Sequence, residues 1–283
     1  MEFVQVVANG LTYAATLALI ATGLTLVFGI LRVVNFAHGA MYMVGAYVTY
    51  YMTVSLGLNY LLGVVVAGLA IALLGVVLAA VLFRRYKGLL LEGAVMAIAL
   101  ALLMENTAFI TFGTNPHSVI SPFTGVVTVA GARIDTQHIF IMSVTLALVI
   151  ALWIFVMKTR MGRGLRAVQQ DSYAATLQGI RVDGVVATTF AIGGFMAGVA
   201  GSLVAPTQTL LPNMGETPLL FAFVVIILGG MGSVPGALIA SLFLGMVQSF
   251  VSTYWTAQAS TWISFTLVIG ILTVRPRGLF GHE

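Results

Sequence analysis

Residues 11–47 read LTYAATLALIATGLTLVFGILRVVNFAHGAMYMVGAY. The first part, 11–31, carries no charged side chain and has the length, roughly 20 residues, that a helix needs to cross a hydrocarbon core of about 30 Å. Asn35 and His38 then interrupt the apolar run, and Gly39 and Gly45 follow. The stretch therefore predicts a membrane-spanning helix with a break near the end of this first span.

The composition of the whole chain supports a membrane location. The chain has 283 residues, of which 60% are hydrophobic and 7% charged. A soluble domain carries roughly 25% charged residues, so a water-soluble fold is excluded. The formal net charge of +4 is interpreted as a guide to membrane orientation, not as a sign of nucleic-acid binding.

Apolar runs recur along the chain, at 11–31, 60–83, 89–112, 139–157, 185–205, 218–230, 234–251 and 260–274. They do not alternate in polarity as the strands of membrane barrels do. The predicted fold is an all-α, polytopic helical bundle of eight or nine membrane segments in a single domain, 1–283. Segment 218–230 spans only about 20 Å as a helix. It runs into Gly229, Gly230, Gly232 and Pro235, so it is predicted to be a broken or re-entrant helix.

The basic residues set the expected orientation. Most of the Lys and Arg residues fall at 84–87, at 158–181 and at 275–277, and cytoplasmic loops carry an excess of such residues. The N-terminus and loop 113–137 are therefore expected outside, and loop 158–184 and the C-terminus in the cytoplasm. Within the outer loop, VVTV followed by ARI predicts a small β-hairpin.

Loop 158–184, KTRMGRGLRAVQQDSYAATLQGIRVDG, predicts two short helices joined near Gln170–Ser172. Asp171 or Ser172 is suited to cap the second helix, and Gly179 to end it. Apolar side chains with arginines at the rim suit docking in the groove of a partner protein. An amphipathic helix lying on anionic lipid remains the alternative.

Polar residues inside the apolar segments are the candidate path residues: Asn35, His38, Glu105 and Asn106. A charge at the bilayer centre costs at least about 2.5–3.5 kcal/mol on insertion scales, so each requires a reason. The two interpretations, a place in the translocation path and hydrogen bonding inside the bundle, both stay open. Gly194-x-x-x-Gly198 is a close-packing pattern of membrane helices.

Four stretches resemble one known family. RMGRGLRAVQQDSYAATLQGI, NFAHGAMYMVGAY, FVVIILGGMGSVPGALIASLFLG and VRPRGLFG are similar, in this order, to segments of the branched-chain amino acid permeases of ABC importers. The resemblance implies a second related permease, two cytoplasmic ATP-binding subunits and a periplasmic solute-binding protein as partners. It also implies that loop 158–184 carries the ATPase-coupling helix, with Arg160, Gly162, Arg163, Arg166, Asp171 and Gly179 as candidates.

No enzymatic activity is expected of this chain. A P-loop needs a Gly-x-x-x-x-Gly-Lys-Ser/Thr pattern, and neither lysine, Lys87 or Lys158, stands in one. The expected cofactors on this chain are therefore none, with ATP and magnesium bound by the partner subunits. The chain has no cysteine, so the redox compartment is not readable.

The expected function is that of a multi-pass permease subunit in a bacterial inner membrane, carrying a branched-chain or hydrophobic amino acid or a similar small solute. The family also has branches resembling urea and amide transporters, and the short linker RRYKGLL departs from the longer basic linker of many relatives. The alternative is an ion-coupled secondary transporter or a passive channel that uses Glu105 and the Gly-rich breaks.

Overall fold

The computed structural model describes residues 2–31, 35–86, 90–129, 131–275 and 278–279. The elements within these residues are, in chain order, α1 (Glu2–Leu31), α2 (Ala37–Tyr50) with a π-helical continuation (Tyr51–Ser55), α3 (Tyr60–Tyr86), α4 (Leu90–Phe112), β1 (Val126–Val129), β2 (Ala132–Asp135), α5 (Thr136–Lys158), α6 (Arg160–Gln170), α7 (Ser172–Leu177), α8 (Val182–Val204), α9 (Glu216–Gly229), α10 (Val234–Tyr254) and α11 (Ala257–Val274).

The all-α, polytopic fold class is confirmed. Seven helices of the described residues are long and apolar enough to cross a membrane, namely α1, α3, α4, α5, α8, α10 and α11. Helix α9 is apolar but shorter. Each predicted apolar run coincides with one helix. Helix α2 was not predicted as a helix of its own. It has 14 residues, and a helix shorter than a membrane span does not stand out in a hydropathy pattern.

The predicted hairpin is confirmed as well. Strands β1 and β2 pair antiparallel, with Val126 opposite Asp135 and Val129 opposite Ala132. The hairpin contacts the start of α1, where the Gln5 side chain accepts a hydrogen bond from the Arg133 N–H at 2.7 Å. We call this end of the bundle the hairpin end.

Helix α8 lies at the centre of the bundle, against α1, α2 and α3. Its small residues allow backbone contact: an added Cβ at Gly194 would lie 2.5 Å from the Ile71 carbonyl oxygen, and one at Gly198 would lie 2.8 Å from the Ile71 Cβ. At Gly201 an added Cβ would overlap the Tyr42 carbonyl oxygen. The close-packing pattern predicted at Gly194 and Gly198 is therefore confirmed.

Long-range contacts give the directions of the helices. Helices α1 and α10 run antiparallel, since Ser249 donates to the Val6 carbonyl at 2.6 Å while the other ends meet at Gly29 and Gly232. Gln169 of α6 lies beside the same two glycines. The bundle thus has an α6–α7 end opposite the hairpin end.

Two short helices begin inside the bundle. Helix α2 starts beside the middle of α1, where His38 Nε2 lies 3.2 Å from the Ile20 carbonyl oxygen, and runs toward the hairpin end. Helix α9 starts at Gly215, whose backbone contacts that of Gly39, and runs the opposite way. The rings of Phe36 and Phe223 lie 5.4 Å apart along this antiparallel pair.

The predicted first break is present, and the structure adds the depth at which the next helix begins. Helix α1 ends at Leu31, near the end of the first span as predicted. Helix α2 then restarts beside Ile20. That point lies about 16 Å back from the end of α1 at 1.5 Å per residue. The second helix therefore starts in the middle of the bundle rather than at its end.

The expected break at Gly229, Gly230, Gly232 and Pro235 is present. Helix α9 ends at Gly229 and α10 starts at Val234. Gly230 and Gly232 have φ of 96° and 86°, a region that favours glycine. This turn lies at the α6–α7 end. Helix α9 is short because its first residue lies in the middle of the bundle. The loop that precedes α9 is covered by protein, as the buried Leu210 shows, and non-helical backbone at this depth requires such cover.

Close packing of α8 predicts a sharp contrast between two of its glycines. Gly201→Ala forces a methyl group onto the Tyr42 carbonyl, whereas Gly184 has nothing within 4 Å of an added Cβ. Overpacking costs about 1–3 kcal/mol, so Gly201→Ala is expected to lower the thermal midpoint in detergent by about 5 °C. Gly184→Ala is the matched control and should not lower it. Equal midpoints for both variants would contradict the packing described here.

Candidate functional site

Helices α6 and α7 form the predicted pair of short helices. Thr159 Oγ1 accepts from the Gly162 N–H at 2.9 Å and caps α6. Asp171 caps α7 by accepting from the N–H groups of Tyr173 and Ala174 at 2.8 and 3.0 Å. The chain leaves α7 through Gly179, with φ of 79°. The prediction of two helices with a cap at Asp171 and an end at Gly179 is confirmed.

Helix α6 is fastened to the end of α5. Gly162 is buried, and an added Cβ there would overlap the carbonyl oxygens of Phe155 and Val156. Arg166 donates from its guanidinium to the same Val156 carbonyl. These carbonyls are in the last turn of α5, where the Thr159 N–H and Oγ1 donate to the Phe155 carbonyl at 3.2 and 2.7 Å and Arg166 meets the Val156 carbonyl. The contacts make α6 a rigid extension of α5.

The outer surface of the pair is open. Arg160, Arg163, Asp171 and Gly179 are exposed. On α7, Tyr173 and Leu177 are 74% and 70% exposed. A groove of about 1240 Å³ runs between this pair and the start of α8, and Arg160, Arg163, Arg181 and Asp183 are among its lining residues. Sequence reasoning did not single out Tyr173, Arg181 or Asp183 for this surface.

Asn35 and His38 lie inside the protein, with 2% and 0% of their surface exposed. The Asn35 side-chain oxygen accepts from the Ala37 N–H at 3.2 Å, at the start of α2. Because Ile20 offers a carbonyl oxygen to His38, the imidazole carries its proton on Nε2. These contacts hold the first turn of α2 against α1.

Glu105 and Asn106 lie on the surface of α4 instead. Asn106 is exposed, and its amide donates to the Leu102 carbonyl of its own helix at 2.7 Å. The hypothesis that the Asn106 side chain is hydrogen-bonded inside the bundle is therefore wrong for the single chain. Glu105 is half-buried and has the Glu216 carboxylate in its neighbourhood.

Sequence reasoning missed Glu216. It is the first residue of α9 and is exposed; the only sequence signal was a carboxylate directly before the short apolar segment. Since Gly215 touches Gly39 in the middle of the bundle, this carboxylate lies at membrane depth. Two carboxylates on one face, each costing at least about 2.5–3.5 kcal/mol in lipid, indicate that lipid does not cover this face.

The site carries no recognisable metal centre in the described part of the chain, where no three His, Asp or Glu side chains group together. The geometry presents an exposed pair of short helices, fastened to α5, at one end of the bundle and two carboxylates, Glu105 and Glu216, at mid-depth.

Comparisons with known proteins agree on one family. The family model described as the permease component of the branched-chain amino acid transport system matches residues 6–274. The chain is 36% identical to the high-affinity branched-chain amino acid transport system permease protein LivH of Escherichia coli, covering 100% of this chain and 96% of LivH. It is 27% identical to the permease protein LivM of the same system in the same organism, covering 96% of this chain and 70% of LivM.

A solved structure shares the fold. A chain of PsaBC from Streptococcus pneumoniae, in complex with Fab, superposes with a TM-score of 0.50 over 93% of this chain and 90% of that chain. The sequence identity is 14%, so this likeness concerns the fold alone.

The attachment of α6 to α5 predicts a second contrast between glycines. Gly162→Ala overlaps the α5 carbonyls, whereas an added Cβ at Gly164 makes ordinary contact, 3.5 Å from Val185. Overpacking costs about 1–3 kcal/mol, which increases local opening about five-fold or more. Trypsin is therefore expected to cut at Arg160, Arg163 and Arg166 faster in Gly162→Ala than in the wild type. Gly164→Ala is the control, and the same cleavage rate in all three proteins would refute the attachment.

Proposed function

The chain belongs to the branched-chain amino acid transport permease family, and we propose that it is the membrane-spanning permease subunit of an ABC importer. Its solute is a branched-chain or other hydrophobic amino acid or a similar small solute. Family membership and identity to LivH over the full chain support this proposal. The observation that carries the mechanism is the rigid, exposed α6–α7 pair at one end of the bundle.

The proposed assembly contains two permeases. LivH and LivM are two different permease proteins of one transport system in Escherichia coli, and both are similar to this chain. We therefore assign this chain a second, related permease as its partner in the membrane. The higher identity to LivH, 36% against 27% to LivM, supports a position on the LivH side of such a pair.

The proposed orientation puts the α6–α7 end in the cytoplasm and the hairpin end outside. Described basic residues at the α6–α7 end are Lys158, Arg160, Arg163, Arg166 and Arg181, which is the bias of cytoplasmic loops. The location is then the bacterial inner membrane, with an outer N-terminus and a cytoplasmic C-terminus. A periplasmic solute-binding protein would deliver solute at the hairpin end.

Two cytoplasmic ATPases are the proposed partners of the α6–α7 pair. The exposed Tyr173 and Leu177 supply apolar anchors, and Arg160 and Arg163 supply a charged rim, which suits a helix-in-groove contact. Gly162 and Arg166 act on the other side by fastening α6 to α5. ATP and magnesium would bind to the ATPases. Closure of the two ATPases would push α6 together with the end of α5 to which it is fastened.

The acidic face of Glu105 and Glu216 is proposed to line the solute path between the two permeases. A face that carries two carboxylates at membrane depth requires water or protein against it, and a path between subunits supplies both. Asn106 lies beside Glu105 on the same helix. Asn35 and His38 are assigned to holding the start of α2, because they are buried against the backbone.

An ion-coupled transporter or a passive channel is the alternative function. Neither needs a docking element for an ATPase. Uptake by the purified chain in liposomes, without nucleotide and without other subunits, would establish the alternative and remove the ABC proposal.

Loss of the α7 element is expected to abolish ATP-driven uptake. The change is a Gly/Ser linker of equal length in place of residues 171–179, which removes the Asp171 cap, helix α7 and the exit at Gly179. Membrane insertion should persist because no long apolar helix is touched. The measurement is uptake in proteoliposomes together with co-purification of the ATPases. The matched control replaces the exposed turn 55–58, and full uptake by the α7 replacement would rule out the coupling role.

The acidic face of Glu105 and Glu216 is expected to be in contact with water in the complete importer. The chain has no cysteine, so single cysteines report their surroundings. Leu102, one turn before Glu105, and Leu103, in the apolar groove between α2, α3 and α4, are 52% and 62% exposed. In the complete importer, a membrane-impermeant thiol reagent should label Leu102→Cys much faster than Leu103→Cys, because a thiol in lipid does not ionise. Equal rates at both positions would show that the face carrying Glu105 is not a water-lined path.

A further inference from the structure

Gln169, near the end of α6, occupies a slot between two glycines. Its amide nitrogen Nε2 donates to the Gly232 carbonyl at 3.2 Å. An added Cβ at Gly29 would lie 2.9 Å from this nitrogen, and one at Gly232 would lie 2.6 Å from it. The slot thus joins α6 to the end of α1 and to the turn between α9 and α10.

The turn that receives Gln169 is itself stiff. The backbones of Gly229 and Gly236 are in contact across it, and Ser233 Oγ accepts from the Gly236 N–H at 3.1 Å. On its other side, the Leu279 N–H donates to the Leu228 carbonyl at 2.8 Å, which satisfies one of the last carbonyls of α9. A displacement of Gln169 would therefore move the turn as a unit.

Helix α9 connects this turn to the acidic face. It runs from Glu216 to Gly229, about 20 Å at 1.5 Å per residue. Its start touches α2 through the Gly215–Gly39 contact. A helix carries displacement along its axis, so a shift at Gly232 reaches both Glu216 and α2.

We propose that Gln169 is the positioning residue that transmits movement of the α6–α7 pair to helix α9, and through it to the solute path. The inference rests on the proposed function, because it assumes that ATPases move α6. It adds the specific contact by which that movement enters the membrane part. Gln169 touches neither nucleotide nor solute in this role.

The experiment measures solute uptake and ATP hydrolysis in the same proteoliposomes, which contain the complete importer. Gln169→Leu keeps the size of the side chain and removes the donor, and Gln170→Leu is the matched control at the exposed neighbour. Gln169→Leu is expected to keep ATP hydrolysis while uptake per ATP falls about five-fold or more, the size of a typical coupling effect. The Gln170→Leu importer should keep the wild-type ratio.

A fluorophore on the turn gives a readout that a merely structural role would not change. Met231 lies between the two turn glycines and is 64% exposed, and Met231→Cys would be the only cysteine of the chain. Its emission is expected to change on addition of ATP in the wild-type background and to stay constant with Gln169→Leu. An ATP response that survives in the Gln169→Leu background overturns the proposal.

A second variant reaches the slot from the other side. Gly29→Ala places a methyl group 2.9 Å from Gln169 Nε2 and should also lower uptake per ATP. Both changes act on one contact. In the double variant, Gly29→Ala with Gln169→Leu, uptake per ATP should therefore fall no further than in the worse of the two single variants. An unchanged ratio in both single variants, or an equal fall of uptake and hydrolysis, overturns the proposal. Absence of ATP-dependent uptake in the wild type would instead refute the proposed function.

Discussion

Backbone contact between small residues in the middle of the bundle is the constraint on which this structure depends. Gly39 meets Gly215 and Gly45 meets Gly198, so helices α2, α8 and α9 approach more closely than any side chain allows. Apolar side chains gain little by leaving lipid for another helix, and association of membrane helices therefore relies on such close packing. The contact also allows two helices to begin at mid-depth.

The two short helices give the bundle its functional asymmetry. A helix that starts at mid-depth has unpaired N–H groups there, and in a membrane these must meet protein or water. At α2 the Asn35 side chain meets one of them, and His38 fixes the turn to α1. At α9 the first residue, Glu216, is exposed. The buried start of α2 supports the fold, and the start of α9 leaves a carboxylate on the surface of the single chain.

Direct contacts join the α6–α7 pair to α5 and to the turn that follows the short helix α9. Gly162 and Arg166 attach α6 to α5, and Gln169 attaches its other end to the α9–α10 turn. The glycines at 29, 162 and 232 leave no space for a side chain, so these joints allow little slack. In the proposed ABC importer, such stiffness would pass on a movement of α6 that a loose joint would absorb.

The sequence by itself determined the features that depend on neighbouring residues. Long apolar runs predicted the membrane helices, and Asp171 and Gly179 predicted the limits of α7, because hydropathy and helix capping act over a few residues. The tertiary structure alone decided where α2 starts, that Glu216 comes into the neighbourhood of Glu105, and that Gln169 reaches Gly232. These pairs are separated by many residues in the chain, and helix packing in three dimensions brings them together. The predicted break near the end of the first span is present, since α1 ends at Leu31. Local polarity shows that a helix stops, and only packing shows at what depth the next one begins.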